Sequence, residues 1–165
     1  MTSHACCFTG HRTLTLEEQQ AVRQRLPPLI CRLASQGANR FLCGGALGFD
    51  TLAALSVLEC KSRQPHLQLH LVLPCGDQTR GWPQEDRRLY QWILSQADDA
   101  MVLFPAYRRG CMQIRNRFLV EQSECCVCFL REQKGGTYYT VRYARKIGRM
   151  VYNLAKDECL LEEHF

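Results

Sequence analysis

Phe41-Leu42-Cys43-Gly44-Gly45-Ala46-Leu47-Gly48-Phe49-Asp50 joins an apolar strand pattern to a helical one through three glycines in five positions. The amphipathic helix pattern opens at Asp50-Thr51. Strand, glycine turn and helix in that order can cradle an anion. Without Cβ atoms the backbone N–H groups come close to an oxyanion, and the helix start adds about half a positive charge. A G-x-G-x-x-G fingerprint begun at Gly44 would need glycine at Ala46 and Phe49, so it fails. No acid stands about 20 positions on to hold a ribose, where the chain reads Ser62-Arg63-Gln64-Pro65. No Gly-Lys-Ser/Thr follows either, which excludes a P-loop. Gly-Gly-x-x-Gly-x-Asp remains. It reads equally as a phosphate cradle or as a tight turn with Asp50 as N-cap for the amides of Leu52 or Ala53.

Strand and helix patterns alternate on both sides of this turn. Strands are expected at 5–8, 40–43, 67–73 (closed by Pro74), 100–104, 125–130 and 149–153. Helices are expected at 16–36, 51–61, from Pro83 onward, 112–122 and 137–147. Pro27-Pro28 should kink the first helix or split it. The third helix carries Leu89, Trp92, Ile93 and Gln96 on one stripe, and the fourth turns Ile114, Phe118 and Leu119 inward. Gly135-Gly136 reads as a turn before the last helix. Strands separated by helices imply an α/β chain with a mostly parallel sheet and right-handed crossovers. Residues 1–154 read as one domain, followed by an acidic tail at 155–165.

At 165 residues, 46% hydrophobic and 22% charged, the chain suits one globular domain with a sizeable core. Its apolar runs are too short to span a bilayer, and Met1-Thr2-Ser3-His4 opens no secretion signal, so the expected location is cytoplasmic. Eleven cysteines fall largely in strand-like apolar runs, and the Cys125–Cys128 cluster lacks a second pair or nearby histidines at ligand spacing, which points to reduced core thiols and not to a metal site. A formal charge of +5 suits an anionic ligand without demanding nucleic acid.

In an open parallel sheet, ligands sit beyond the carboxyl ends of the strands. The loops there carry Thr9-Gly10-His11-Arg12, the Gly44–Asp50 turn, Gln78 and Trp82, Arg115-Asn116, and Gly135-Gly136-Thr137. Each residue has an ordinary structural reading, Arg117 and Glu121 being a plain i,i+4 pair. Their convergence on one edge favours a site.

Thr9-Gly10-His11-Arg12, the Gly44–Asp50 run, Arg115-Asn116 and Gly135-Gly136-Thr137, in this order, resemble the YpsA-like branch of the SLOG superfamily over about 8–154. Pro74 with Gln78 and Trp82, Ala97-Asp98 and Tyr143-Ala144 agree. The resemblance implies a Rossmann-like three-layer fold that binds nucleotides or their derivatives. It includes the LOG phosphoribohydrolases, which cleave a nucleoside monophosphate, and DprA, which binds single-stranded DNA. Relatives commonly pair through helices, so a homo-oligomer stays open. The LOG pattern Pro-Gly-Gly-x-Gly-Thr-x-x-Glu, aligned on Gly135-Gly136, places Lys134 at the proline, Tyr138 at the third glycine and Arg142 at the catalytic glutamate. The binding site therefore transfers and the reaction does not, and no catalytic residue is assigned.

Three readings follow. The first is a ligand-binding or sensing module for a nucleotide-derived molecule. The second is a hydrolase using Glu121, Asp98, Asp99 or Asp77. The third, single-stranded DNA binding, comes last because no basic stripe is present. In the first, amides of Gly44, Gly45 and Gly48 hold a phosphate neutralised by Arg12 and Arg115. Thr9, Gly10 and Thr137 line the sugar or second phosphate side, and Gln78, Trp82 and Asn116 recognise base or ribose. No cofactor or intrinsic metal is indicated, although a ligand could bring magnesium.

Overall fold

Each expected apolar run forms a strand and each 3.6-residue pattern a helix. The computed structural model describes residues 4–156. In chain order these are β1 (His4–Gly10), α1 (Leu16–Ser35), β2 (Ala38–Cys43), α2 (Phe49–Arg63), β3 (Gln68–Cys75) and α3 (Gln84–Gln96). Then follow β4 (Asp99–Phe104), α4 (Cys111–Glu121), β5 (Cys125–Phe129), α5 (Gly135–Lys146) and β6 (Met150–Asn153). All six strands pair in parallel, in the order β4-β3-β2-β1-β5-β6. The chain steps outward from β1 to β4, then crosses back to β5. The strand order therefore reverses beside β1.

Side-chain alternation builds the layers. Cys6 and Phe8 of β1 join Phe41, Phe49, Leu26 and Ile30 in a core beneath α1 and α2. Ala5 and Cys7 face the other way, packing with Cys126, Leu119 and Ala144 under α4 and α5. Thr9 shares the second face by the same alternation. Among the described residues the cysteines are free thiols, and those of β1 stand in register with those of β5 at Cys6–Cys125 and Cys7–Cys126. No helix among the described residues is long and apolar enough to cross a membrane.

Four local expectations change. The Pro27-Pro28 pair sits inside one uninterrupted α1. The carbonyls it leaves without donors belong to Arg23 and Gln24, both exposed, where water can serve them. Two interior prolines cost about 3 kcal/mol each. Burying Val22, Leu26, Leu29, Ile30 and Leu33 returns about 1.5–3 kcal/mol apiece, enough to hold the helix together. Strand β3 runs through Pro74 to Cys75. Gly135 and Gly136 form the first turn of α5 instead of preceding it. Trp92 and Ile114 are exposed, because α3 and α4 each cover only part of the sheet near edge strand β4. The acidic tail beyond residue 156 lies outside the described residues.

Helix α1 opens with a capping box that no residue pattern had singled out. Thr15 accepts from the Glu18 amide at 3.1 Å, and Glu18 accepts from the Thr15 amide at 2.9 Å. Glu18 also receives Arg131 at 3.1 Å, tying this helix start to the β5–α5 loop. Thr15→Ala should lower unfolding stability by about 1 kcal/mol in urea melts. A change below a few tenths would mean the box adds nothing to the fold.

Candidate ligand-binding cleft

The carboxyl ends of β1 and β5 and the starts of α4 and α5 enclose a cleft of about 270 Å³. Ten of the fifteen residues expected at the site line it: Thr9, Gly10, His11 and Arg12 after β1, Asp50 from α2, Arg115 and Asn116 from α4, and Gly135, Gly136 and Thr137 from α5. Phe8, Ala46, Met112 and Lys134 complete the lining. Gln78 and Trp82 line a neighbouring cleft of about 600 Å³, which shares Arg12 and Met112 with the first.

The glycine run of β2 does other work than expected. Gly44, Gly45 and Gly48 do not line the central cleft. A Cβ at Gly44 would strike the Arg115 guanidinium, and one at Gly48 would strike the Arg12 carbonyl. At Gly45 it would lie 2.7 Å from Leu73 Cδ2. Two of the amides nearby are already engaged. Ala46 N donates to Asp50 Oδ2 at 3.1 Å, and Phe49 N donates to the His11 carbonyl at 3.1 Å. These glycines are small because the β1 loop and α4 pass close over them.

Asp50 does not cap α2. Gly48, with φ of 78°, occupies the N-cap position, and the Asp50 side chain turns back to hold the loop amide. Burial, at 7% exposure, raises its carboxyl above the usual range, opposed by Arg115, the Ala46 amide and Arg12. Arg115 is 5% exposed, and burial lowers its pKa while Asp50 supports the charge. The Arg115 guanidinium donates to the Gly44 carbonyl and, through Nε, to Asn116 Oδ1 at 2.8 Å. Gln78 Nε2 donates to the same Gly44 carbonyl at 3.2 Å. Arg115 is therefore largely committed to the protein. Arg12 makes no hydrogen bond or ion pair among the described residues, and it lies near enough to influence both Asp50 and Arg115.

His11 Nε2 accepts from the Arg131 amide at 3.1 Å, and burial with Arg131 nearby lowers its pKa. The neutral ring thus carries its proton on Nδ1. Helix α5 starts without a side-chain cap, and the amides of Gly135, Gly136 and Thr137 have no partner among the described residues. Thr9 and Thr137 are only 7% and 9% exposed, and their hydroxyls likewise lack partners among the described residues. No group of three or more potential metal ligands occurs among those residues.

Comparison with known proteins places this arrangement. The YpsA family model, described as the YspA SLOG family, matches residues 6–155. The chain belongs to that family. A UPF0398 protein of Bacillus thuringiensis (strain Al Hakam) is 29% identical over 135 residues, covering 80% of this chain and 71% of the relative. One from Halalkalibacterium halodurans is 29% identical over 140 residues, covering 83% and 71%. Among solved structures, DNA processing protein A from Helicobacter pylori, described for its single-stranded DNA binding mode, superposes with a TM-score of 0.67 at 22% identity. That match covers 91% of this chain and 64% of the other. The DprA of Streptococcus pneumoniae gives 0.67 at 18% identity, covering 96% and 55%. The family resemblance and the Rossmann-like expectation both hold, and at these identities the DprA likeness concerns the fold.

Other expectations meet the geometry differently. Arg117 does not pair with Glu121: its guanidinium lies 5.0 Å over the Tyr143 ring, and Tyr143 Oη donates to Glu121 Oε1 at 2.6 Å. Arg142 lies 5.6 Å over the Tyr138 ring and does not line the cleft. Met112 is the residue that the motifs missed. A flexible thioether one residue into α4 carries no pattern of its own, yet it lines the central cleft and the clefts on both sides of it.

Arg115→Met tests the buried charges. It removes the main opposition to Asp50 desolvation and lifts that carboxyl further. The folded protein then holds the proton more tightly than the unfolded chain, so stability present below the unfolded carboxyl range is lost as pH rises. The variant should be about 3 kcal/mol less stable than the parent near pH 7, with a smaller deficit toward about pH 4. Denaturant melts at both values check this, and an equal deficit would separate Asp50 from Arg115.

Proposed function

We propose that the central cleft binds the phosphate of a nucleotide or nucleotide-derived small molecule, and that the protein works as a cytoplasmic ligand-sensing module. The observation that carries this is the open start of α5. Three uncapped amides and the helix dipole meet there, beside the hydroxyls of the largely buried Thr9 and Thr137 and the guanidinium of Arg12, which is unpaired among the described residues. Gly136 adds a steric argument. It has an ordinary φ, and a Cβ built on it would meet nothing within 4 Å. A first-turn glycine with no packing reason leaves space for a guest. The phosphate seat is thus assigned to α5 in place of the occluded β2 turn, with Arg12 as the mobile counter-charge and His11 Nδ1–H as a neutral donor.

The hydrolase reading has less support, because Glu121 is engaged by Tyr143, and Asp98 by Lys61 and the Leu69 amide at 2.9 Å. The DNA reading draws on the DprA likeness, one of whose relatives binds single strands, and it predicts a steep salt dependence.

Thermal shift against a panel of nucleotides tests the reading. A ligand at ~100-fold its Kd should add about 2.7 kcal/mol. Gly136→Val should erase that gain while the unliganded melting point stays within a few degrees. A retained gain would remove α5 from the site. Release of free base from a nucleoside monophosphate would overturn binding without turnover.

A further inference from the structure

The central cleft is the middle of a longer trough, and we propose that its ligand is two-lobed: two aromatic heterocycles joined through a central phosphate or pyrophosphate, as in a dinucleotide. This rests on the phosphate seat proposed above and adds what lies on either side of it. The 600 Å³ cleft continues from the centre through Arg12 and Met112 toward the ends of β3 and β4. On the opposite side a cleft of about 440 Å³ continues through Met112, Asn116, Gly135 and Gly136 into the groove between α4 and α5.

Each wing presents an exposed aromatic ring. Tyr107 is 64% exposed with no ring contact among the described residues, while its backbone amide is fixed to the Asp77 carboxylate at 2.8 Å. Tyr139 is 65% exposed on the first turns of α5, its ring 5.9 Å from that of Tyr138. Exposed aromatics on loops held in place are stacking platforms for bases. The first wing also holds buried Gln78, whose Nε2 is bound to Gly44 while its Oε1 has no donor. With Asp77, that gives acceptors for the amino or hydroxyl groups of a base or ribose, while Arg80 on the same wall offsets the Asp77 charge.

The span agrees. From β3 to β5 the sheet crosses three strand spacings, about 14 Å, which exceeds one nucleoside and suits two linked by their phosphates. No ribose-binding acid of the usual dinucleotide fold is needed, because the wings grip the ends.

Calorimetric titration of the full chain with NAD, diadenosine pyrophosphate, AMP and inorganic pyrophosphate decides the point. At least one of the two dinucleotides should bind about 10-fold tighter than AMP. Tyr107→Ala and Tyr139→Ala should each remove about 10-fold from that affinity, with Tyr→Phe restoring it. Only one of the two alanine variants should weaken AMP. Equal affinity for AMP and both dinucleotides, or indifference to either tyrosine, would overturn the two-lobed ligand and leave the phosphate seat standing. Failure of all four probes would remove the seat as well. A short oligo(dT) that binds more tightly than either dinucleotide, with affinity falling steeply in salt, would replace it with a nucleic-acid strand.

Discussion

The carboxyl edge of this sheet depends on one buried cation. Arg115 lies beneath the surface with its guanidinium against the Gly44 carbonyl and the Asn116 side chain, facing Asp50. A charge removed from water is tolerated only when its donors are satisfied and a counter-charge is near. That requirement fixes several things at once. The β2 turn must be glycine where the guanidinium passes, and Asp50 must remain inside, where it also holds the Ala46 amide. Helix α4 must enter at the angle that brings Met112 and Asn116 to the cleft.

Two kinds of glycine lie along the same edge, and their surroundings separate them. Gly10, Gly44 and Gly48 are pressed against Phe49, Arg115 and Arg12, so their smallness serves packing inside the protein. Gly136 is pressed against nothing. In a helix it is less favourable than alanine by about 1 kcal/mol, and no contact among the described residues offsets that. Gly136 thus serves no packing contact among the described residues, and it stands beside amides that no side chain caps.

The layer architecture was legible because hydrophobic period and breaker residues agree from β1 to β6, and the edge was legible because parallel sheets collect their loops there. Within the site, residue type was readable and orientation was not. Asp50 lies in the first turn of α2 and has the composition of a cap, but its place as counter-charge to a buried Arg115 is a long-range fact that local spacing cannot encode. The Gly44–Gly48 turn has the composition of an anion cradle, yet whether its amides face outward depends on His11 and Asp50 arriving from elsewhere. Pro27-Pro28 misled for a related reason: propensity speaks of an isolated helix, while α1 is held by what it buries.

The same topology decides which acids can take part in chemistry. In a parallel α/β sheet the helices run back, so strand starts and helix ends share the edge opposite the cleft. Asp98 and Asp99 precede or begin β4, and Glu121 ends α4, whose last carbonyls meet Arg149 just before β6. They stand a strand length from the start of α5. Asp77 lies on the correct edge but in the wing, engaged by the Tyr107 amide. Asp50 alone of these carboxylates lines the centre, and its partners hold it in a structural pose beneath the ligand space. An oxocarbenium-like centre needs a carboxylate facing it across the sugar, and the acids of this edge are arranged to brace the walls of the cleft instead.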